Sequence, residues 1–205
     1  IDLRYPFIVA GVLALINTAY GVFVLPESLA ADKRRAFDWQ RANPIAALRG
    51  LTELRGIGPL VATIALSGLA QFTLYTTWVL YTHFKFGWGP AEVGTSLFVV
   101  GLMAALVQGV LLKHLLARFS PRRLAAFGLA AGALTYLGYA LAPTGAVIYG
   151  VIVVGALLGG AAPAAMQSIV SNAAGAREQG QTMGAVASLN SLMAVMAPVV
   201  SASLL

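Results

Sequence analysis

Charged residues cut this chain into long uncharged runs, which cover residues 5–26, 56–82, 93–112, 124–176 and 179–205. Within these runs apolar residues follow one another without the strict alternation of a membrane barrel strand. A helix needs roughly 20 mostly apolar residues to cross about 30 Å of hydrocarbon, rising about 1.5 Å per residue. The run 124–176 is too long for one crossing and is interrupted by Pro143, Thr144 and Gly145, a turn signal. The pattern therefore predicts six helices, near 6–25, 58–81, 92–112, 124–141, 147–170 and 184–205. The expected fold class is all-α, a polytopic membrane helix bundle, because a helix satisfies its own backbone hydrogen bonds where no water can.

Composition supports that reading. Of 205 residues, 59% are hydrophobic and 10% charged, with a mean hydropathy of +0.83. Soluble domains are about 25% charged, so this chain lacks the polar material to cover a globular surface. Disorder is excluded by the same figures, since it requires low hydrophobicity and high charge. There is no cysteine, which removes disulfides, cysteine zinc sites, iron–sulfur clusters and thiol catalysis in this chain.

The net charge of +6 is distributed by side of the membrane, not gathered into a nucleic-acid patch. Lys33, Arg34, Arg35, Arg41, Arg49 and Arg55 fall between the first two helices. Lys113, Arg118, Arg122 and Arg123 fall between the third and fourth, and Arg177 between the fifth and sixth. Alternating crossings put these eleven on one side and leave Arg4 and Lys85 on the other. The positive-inside rule assigns the eleven to the cytoplasm and residue 1 to the outside. No partner nucleic acid is expected.

Three regions follow: a transmembrane helix in 1–25, a cytoplasmic loop in 26–57 and a bundle of transmembrane helices in 58–205. In the loop, Asn43-Pro44 is a helix start, and Ile45, Leu48, Leu51 and Leu54 follow with Arg49 and Arg55 between them. That spacing predicts a short amphipathic helix on the inner membrane surface. Tyr81, Phe84, Phe86 and Trp88 cluster where the second helix leaves the lipid, as an aromatic belt does. His83 belongs to that cluster and His114 to the opposite side, so the two cannot share a metal.

Apart from Glu92, the first residue of the crossing near 92–112, no predicted crossing contains Asp, Glu, Lys or Arg. Hydrolases and group-transfer enzymes need carboxylates, a nucleophile with its base, or metal ligands in mutual reach; no such grouping or motif occurs. The chain is not expected to be an enzyme or to carry a cofactor or metal. The polar groups inside the crossings are uncharged: Asn17, Tyr20, Gln71, Tyr75, Gln108, Gln167 and Asn190. An amide in hydrocarbon is costly unless paired, so these residues should face the bundle or a wet cavity. Gln71, Tyr75 and Trp78, at i, i+4 and i+7, share one helix face. This face and Asn190 offer amide, hydroxyl and indole groups to an aromatic or amphipathic ligand, or else to neighbouring helices. Glycines four apart, Gly128 with Gly132 and Gly155 with Gly159, predict close helix contact, and Pro163 and Pro198 predict bends.

Several segments resemble the major facilitator superfamily, and more narrowly the tetracycline-efflux branch of its drug:proton antiporters. They are Leu25-Pro26-Glu27-Ser28, Thr77-Trp78-Val79-Leu80-Tyr81 with Phe86-Gly87-Trp88, and Pro163-Ala164-Ala165-Met166-Gln167-Ser168-Ile169-Val170-Ser171. Gln179-Gly180-Gln181-Thr182-Met183-Gly184-Ala185, Ser188-Leu189-Asn190-Ser191-Leu192 and Ala197-Pro198 continue the series. The resemblance implies helices 6 to 11 of a twelve-helix fold, with the N-terminal half of the same protein as their partner. It implies a bacterial inner-membrane exporter of small hydrophobic or amphipathic compounds, coupled to protons and working by alternating access. A solute importer of the same fold and a non-transporting membrane scaffold are the alternatives. The residues expected to line the substrate path are Gln71, Tyr75, Trp78, Asn190 and Asn17. Arg118, Arg122 and Arg123, in Ala117-Arg118-Phe119-Ser120-Pro121-Arg122-Arg123, resemble the family's basic cytoplasmic motif, with Ala117 and Ser120 where the pattern has Asp and Gly. In Ala130-Ala131-Gly132-Ala133-Leu134, Gly132 stands where tetracycline exporters carry Asp, so tetracycline itself does not carry over.

Single cysteines introduced as Ala91→Cys and Ser120→Cys into the full-length chain test the orientation. A thiol reagent that cannot cross the membrane, added outside intact cells, is expected to modify position 91 and spare position 120. Modification of position 120 from outside overturns it.

Overall fold

The computed structural model describes residues 4–25, 58–174 and 179–204. The loop 26–57, its amphipathic segment and Arg177 lie outside the described residues. The chain divides into two units, Ile1–Asp38 and Trp39–Leu205, each treated by itself. Every regular element among the described residues is helical.

In the first unit α1 spans Tyr5–Phe23, with Pro6 in its first turn, where the missing N–H is no loss. None of its residues is buried. The Thr18 hydroxyl donates to the Ala14 carbonyl at 2.8 Å, so even the polar side chain is paired within the helix.

The second unit opens with α2, Gly58–Phe86, of 29 residues. Next come α3, Pro90–Leu106, a π-helical turn at Val107–Leu111, and α4, Leu112–Arg118. They are followed by α5, Pro121–Leu141; α6, Gly145–Gly159; α7, Ala162–Ala173; and α8, Gln179–Leu204. With α3 to α4 and α6 to α7 each taken as one crossing, six helices are long and apolar enough to span a membrane. The expected bundle is present.

Its boundaries depart from the hydropathy pattern for local reasons. α2 runs on past Tyr81 to Phe86 because nothing stops it before Gly87. That glycine takes φ +68° and donates its N–H to the His83 carbonyl at 2.9 Å, a left-handed cap that a residue with a Cβ adopts only at a cost. Gly89 then caps α3 by donating its backbone N–H to the Glu92 carboxylate at 2.9 Å. The expected helix over 147–170 is two helices, broken after Gly159, with Pro163 in the first turn of α7. Pro198 lies inside α8, which continues through it.

Apolar packing forms two clusters. One joins Val61 and Ile64 of α2 to Leu124 and Ala125 of α5, Met166 and Val170 of α7, and Val186 and Leu189 of α8. The other joins Trp78 of α2 to Trp88, Val93 of α3, Ala142, and Ile148 and Ile152 of α6. Trp88 is thus buried, at 8% exposure, and departs from the aromatic belt in which its neighbour Phe84 remains at 82% exposure. The turn after Gly87 folds Trp88 back over the start of α6, where it stacks near Tyr149 at a centroid distance of 5.4 Å. Outward positions are greasy throughout, as at Leu134, Val195 and Val199, the arrangement lipid requires and water penalises.

Close approach of α5 to α6 and α7 depends on absent side chains. A Cβ at Gly128 would stand 2.7 Å from the Ala162 Cβ and 3.2 Å from the Gly159 carbonyl oxygen. A Cβ at Gly132 would meet nothing within 4 Å. Gly128→Ala should therefore destabilise the purified protein by about 1–3 kcal/mol through overpacking, while Gly132→Ala leaves it unchanged. Thermal unfolding in detergent checks this, and equal effects would refute the assigned contact.

Candidate functional site

The two apolar clusters leave a polar level between them. Gln71 stands seven residues from both Ile64 and Trp78, about 10 Å along α2 from each at about 1.5 Å per residue. Gly68, Gln71 and Tyr75, at i, i+3 and i+7, share that face. α8 runs along α2 and places the Asn190 Oδ1 3.3 Å from where a Cβ at Gly68 would be. Asn190 thus reaches the α2 backbone one turn below Gln71, where a Cβ at position 68 would press on its amide oxygen.

The available valences differ among these side chains. The Tyr136 hydroxyl of α5 donates to Gln71 Oε1 at 3.3 Å, and the Gln71 amide N–H groups have no partner among the described residues. Tyr75 is exposed, its ring edge-on to Phe72 at 6.5 Å, and its hydroxyl has no partner among the described residues. Asn190 is half-buried and likewise without a hydrogen bond among the described residues. Trp78 is different. It is buried at 6% exposure, and its indole Nε1 donates to Ser96 Oγ of α3 at 3.1 Å. Ser96 in turn donates to the Val93 carbonyl at 2.7 Å, and Tyr139 packs edge-on against the Trp78 ring at 5.2 Å. The structure therefore spreads Gln71, Tyr75 and Asn190 over about 10 Å along one face of α2 with open donors and acceptors, and turns Trp78 into the packing of α2 on α3. Asn17 lies on α1 in the other unit, where it is exposed.

Tyr136 was not among the polar groups singled out in the sequence. A phenol in an apolar run reads as bulk, and only the arrival of α5 beside α2 supplies its partner. Gln108 and Gln167 are exposed, Gln108 within the π-helical turn.

A cavity of about 610 Å³ opens on the other side of α2, lined by Thr73, Leu74, Thr77, Leu80, Tyr81, Phe84 and Lys85 with Tyr139, Ala140 and Ser201. Thr73 and Thr77 each follow an expected site residue by two positions, about 200° around the helix, so Gln71 and Tyr75 do not line it. Its edge is held by ties from α2 to α5: Tyr81 Oη donates to the Tyr139 carbonyl, and Lys85 Nζ to the Ala140 carbonyl at 2.6 Å. The Thr76 and Ser201 hydroxyls pair at 2.9 Å and join α2 to α8.

At the opposite end of the bundle Arg118 closes α4, and Arg122 and Arg123 lie in the first turn of α5. All three are exposed. Among the described residues no group of three His, Cys, Asp or Glu could hold a metal ion; His83 Nδ1 faces the Trp88 carbonyl at 3.1 Å and His114 Nδ1 the Val110 carbonyl at 2.9 Å.

Comparison with known proteins adds to this geometry. The sequence pattern of the Major Facilitator Superfamily matches residues 1–198. The class C tetracycline resistance protein of Escherichia coli is 28% identical over 200 residues, 98% of this chain and 50% of that protein. The class D protein of Salmonella ordonez is 30% identical over 96% of this chain and 49% of its own length. The class G protein of Vibrio anguillarum is 31% identical over 77% of this chain and 40% of its own length. The chain thus spans about half the length of these relatives.

A double-mutant cycle with Tyr136→Phe and Gln71→Leu, read by thermal stability, should return a coupling of about 0.6 kcal/mol, ordinary for a hydrogen bond between membrane helices. Strictly additive losses would remove the pair.

Proposed function

This chain belongs to the Major Facilitator Superfamily, and on that premise we propose that the full-length protein is a transporter that exports small hydrophobic or amphipathic compounds, with protons as the coupling ion. The observation that carries the reading is the mid-depth polar level. Gln71, Tyr75 and Asn190 present unspent amide and hydroxyl groups between two apolar clusters, in a bundle of membrane-length helices. A site of uncharged polar groups and one accessible aromatic ring suits a ligand that is itself mostly apolar, because a small solvated ion would lose more hydration than these groups return. Alternating access of two helical halves about a midplane site is the mechanism such an arrangement serves.

Roles follow from the open valences. Gln71, oriented through its carbonyl by Tyr136, offers its N–H groups to an acceptor on the substrate. Tyr75 offers its hydroxyl and ring face, and Asn190 an amide from the facing helix. Trp78 acts by holding α2 against α3, so its part in binding is to position Tyr75 one turn away. Asn17, exposed on α1, is proposed as a substrate-contacting residue of its own unit. Arg118, Arg122 and Arg123 are the charges of the cytoplasmic rim, in an inner membrane that keeps them on the cytoplasmic side.

Substrate and coupling are assigned by class. The tetracycline resistance of the relatives supports drug-like cargo, while Gly132 stands in place of the exporters' Asp. No packing imposes glycine there, so the departure is a chemical difference. Glu92 is the one acidic residue among the described residues, and it is spent on the Gly89 N–H. The proton-carrying group is therefore assigned outside the described residues.

The full-length protein in energised proteoliposomes, offered tetracycline, ethidium and a neutral hydrophobic dye, tests the reading. Gln71→Ala and Tyr75→Ala should each raise KM about fivefold for a transported probe, the loss of one hydrogen bond of about 1 kcal/mol. Unchanged kinetics for every transported probe would take both residues out of the site. Movement of none of the three would end the export reading.

A further inference from the structure

The turn between α4 and α5 concentrates charge that no acidic side chain among the described residues balances. Lys113 and Arg118 on α4 and Arg122 and Arg123 on α5 are all exposed, and none makes an ion pair or hydrogen bond among the described residues. From Val93 to Ala174 the sequence contains no Asp or Glu. Arg122 and Arg123 also sit in the first turn of a 21-residue helix, where the backbone dipole is already positive and favours an anion over a cation. Ser120 precedes that turn in extended conformation and makes no side-chain cap. Phe119, half exposed at 49%, projects an aromatic ring from the middle of the cationic turn.

We propose that this turn is a binding surface for anionic phospholipid headgroups of the membrane leaflet it faces. Four exposed cations on the two helices that meet at this turn, two of them opposed by a helix dipole, favour an external anion as their neighbour. At the end of two membrane crossings the anions at hand are lipid phosphates. Phe119 selects the lipid over free phosphate. An aromatic ring among cations fits the boundary between headgroups and acyl chains, where it is buried while the guanidinium groups stay at phosphate level. The inference rests on the membrane reading and adds to it a lipid class. It gives Arg118, Arg122 and Arg123 an anchoring role, in which bound lipid fixes the ends of α4 and α5.

Bimane on Ser120→Cys, in a full-length chain otherwise free of cysteine, reports which lipid lies at the turn. The protein is reconstituted with acyl-brominated phosphatidylglycerol or, at equal mole fraction, acyl-brominated phosphatidylcholine as quencher. Phosphatidylglycerol is expected to quench preferentially. The preference should fall roughly fivefold for each cation neutralised among Lys113→Gln, Arg118→Gln, Arg122→Gln and Arg123→Gln, the equivalent of about 1 kcal/mol per cation at an anionic surface. Arg122→Lys with Arg123→Lys keeps the charge and should keep the preference, which separates lost charge from lost fold. Equal quenching by both lipids overturns the proposal and leaves the membrane reading standing. Quenching by neither overturns both. Abolition of the preference by millimolar inorganic phosphate, with ionic strength held constant, would make the turn a phosphate site and overturn the lipid assignment.

Discussion

In hydrocarbon a backbone amide has no water to turn to, and that one constraint organises this molecule. Every described crossing is a helix, and the polar side chains within it mostly bond back to the preceding turn, as Thr63 does to Pro59, Thr95 to Ala91 and Thr135 to Ala131. Helices satisfied in this way have little reason to associate, since lipid tails are as apolar as leucine. Association then depends on how closely backbones can approach and on the few groups left to pair. Gly128 against Gly159 and Ala162 supplies the first, and Trp78 with Ser96, Tyr136 with Gln71 and Thr76 with Ser201 supply the second.

The same economy locates the polar level. Apolar side chains fill both ends of the bundle, so the hydroxyls and amides between them are either committed to another helix or open to a ligand. Trp78 and Tyr75 lie three residues apart on α2 and fall on opposite sides of that division. One indole is enclosed by α3, α5 and the second cluster, and one phenol remains accessible. The π-helical turn of the α3–α4 crossing lies beside the Gly159–Ala162 break of the α6–α7 crossing, where Val107, 1% exposed, neighbours Gly160. Two spans that read as continuous in hydropathy are thus segmented where they lie against each other.

Much of the architecture was legible in the residues. Six helices, their approximate spans and the family resemblance follow from apolar runs and ordered motifs, because crossing a bilayer imposes a length and a composition that sequence displays directly. Helix ends were less legible. Hydropathy ends α2 near Tyr81, whereas hydrogen bonding carries it to Gly87, since a helix stops where its backbone is capped and not where its side chains turn polar. Trp88 looked like a membrane-surface ring, and the turn after Gly87 buried it.

The candidate site was legible in part. The i, i+4, i+7 spacing placed Gln71, Tyr75 and Trp78 on one side of α2, which periodicity alone determines. Which neighbour occupies each sector of that side is a matter of helix packing. The approach of α3 took the indole of Trp78, that of α5 gave Gln71 its Tyr136, and that of α8 brought Asn190 to Gly68. Local periodicity fixes the direction in which a side chain leaves its own helix; only the tertiary arrangement decides what it meets there, because helix contacts in lipid are chosen by shape and a few hydrogen bonds that no single segment encodes.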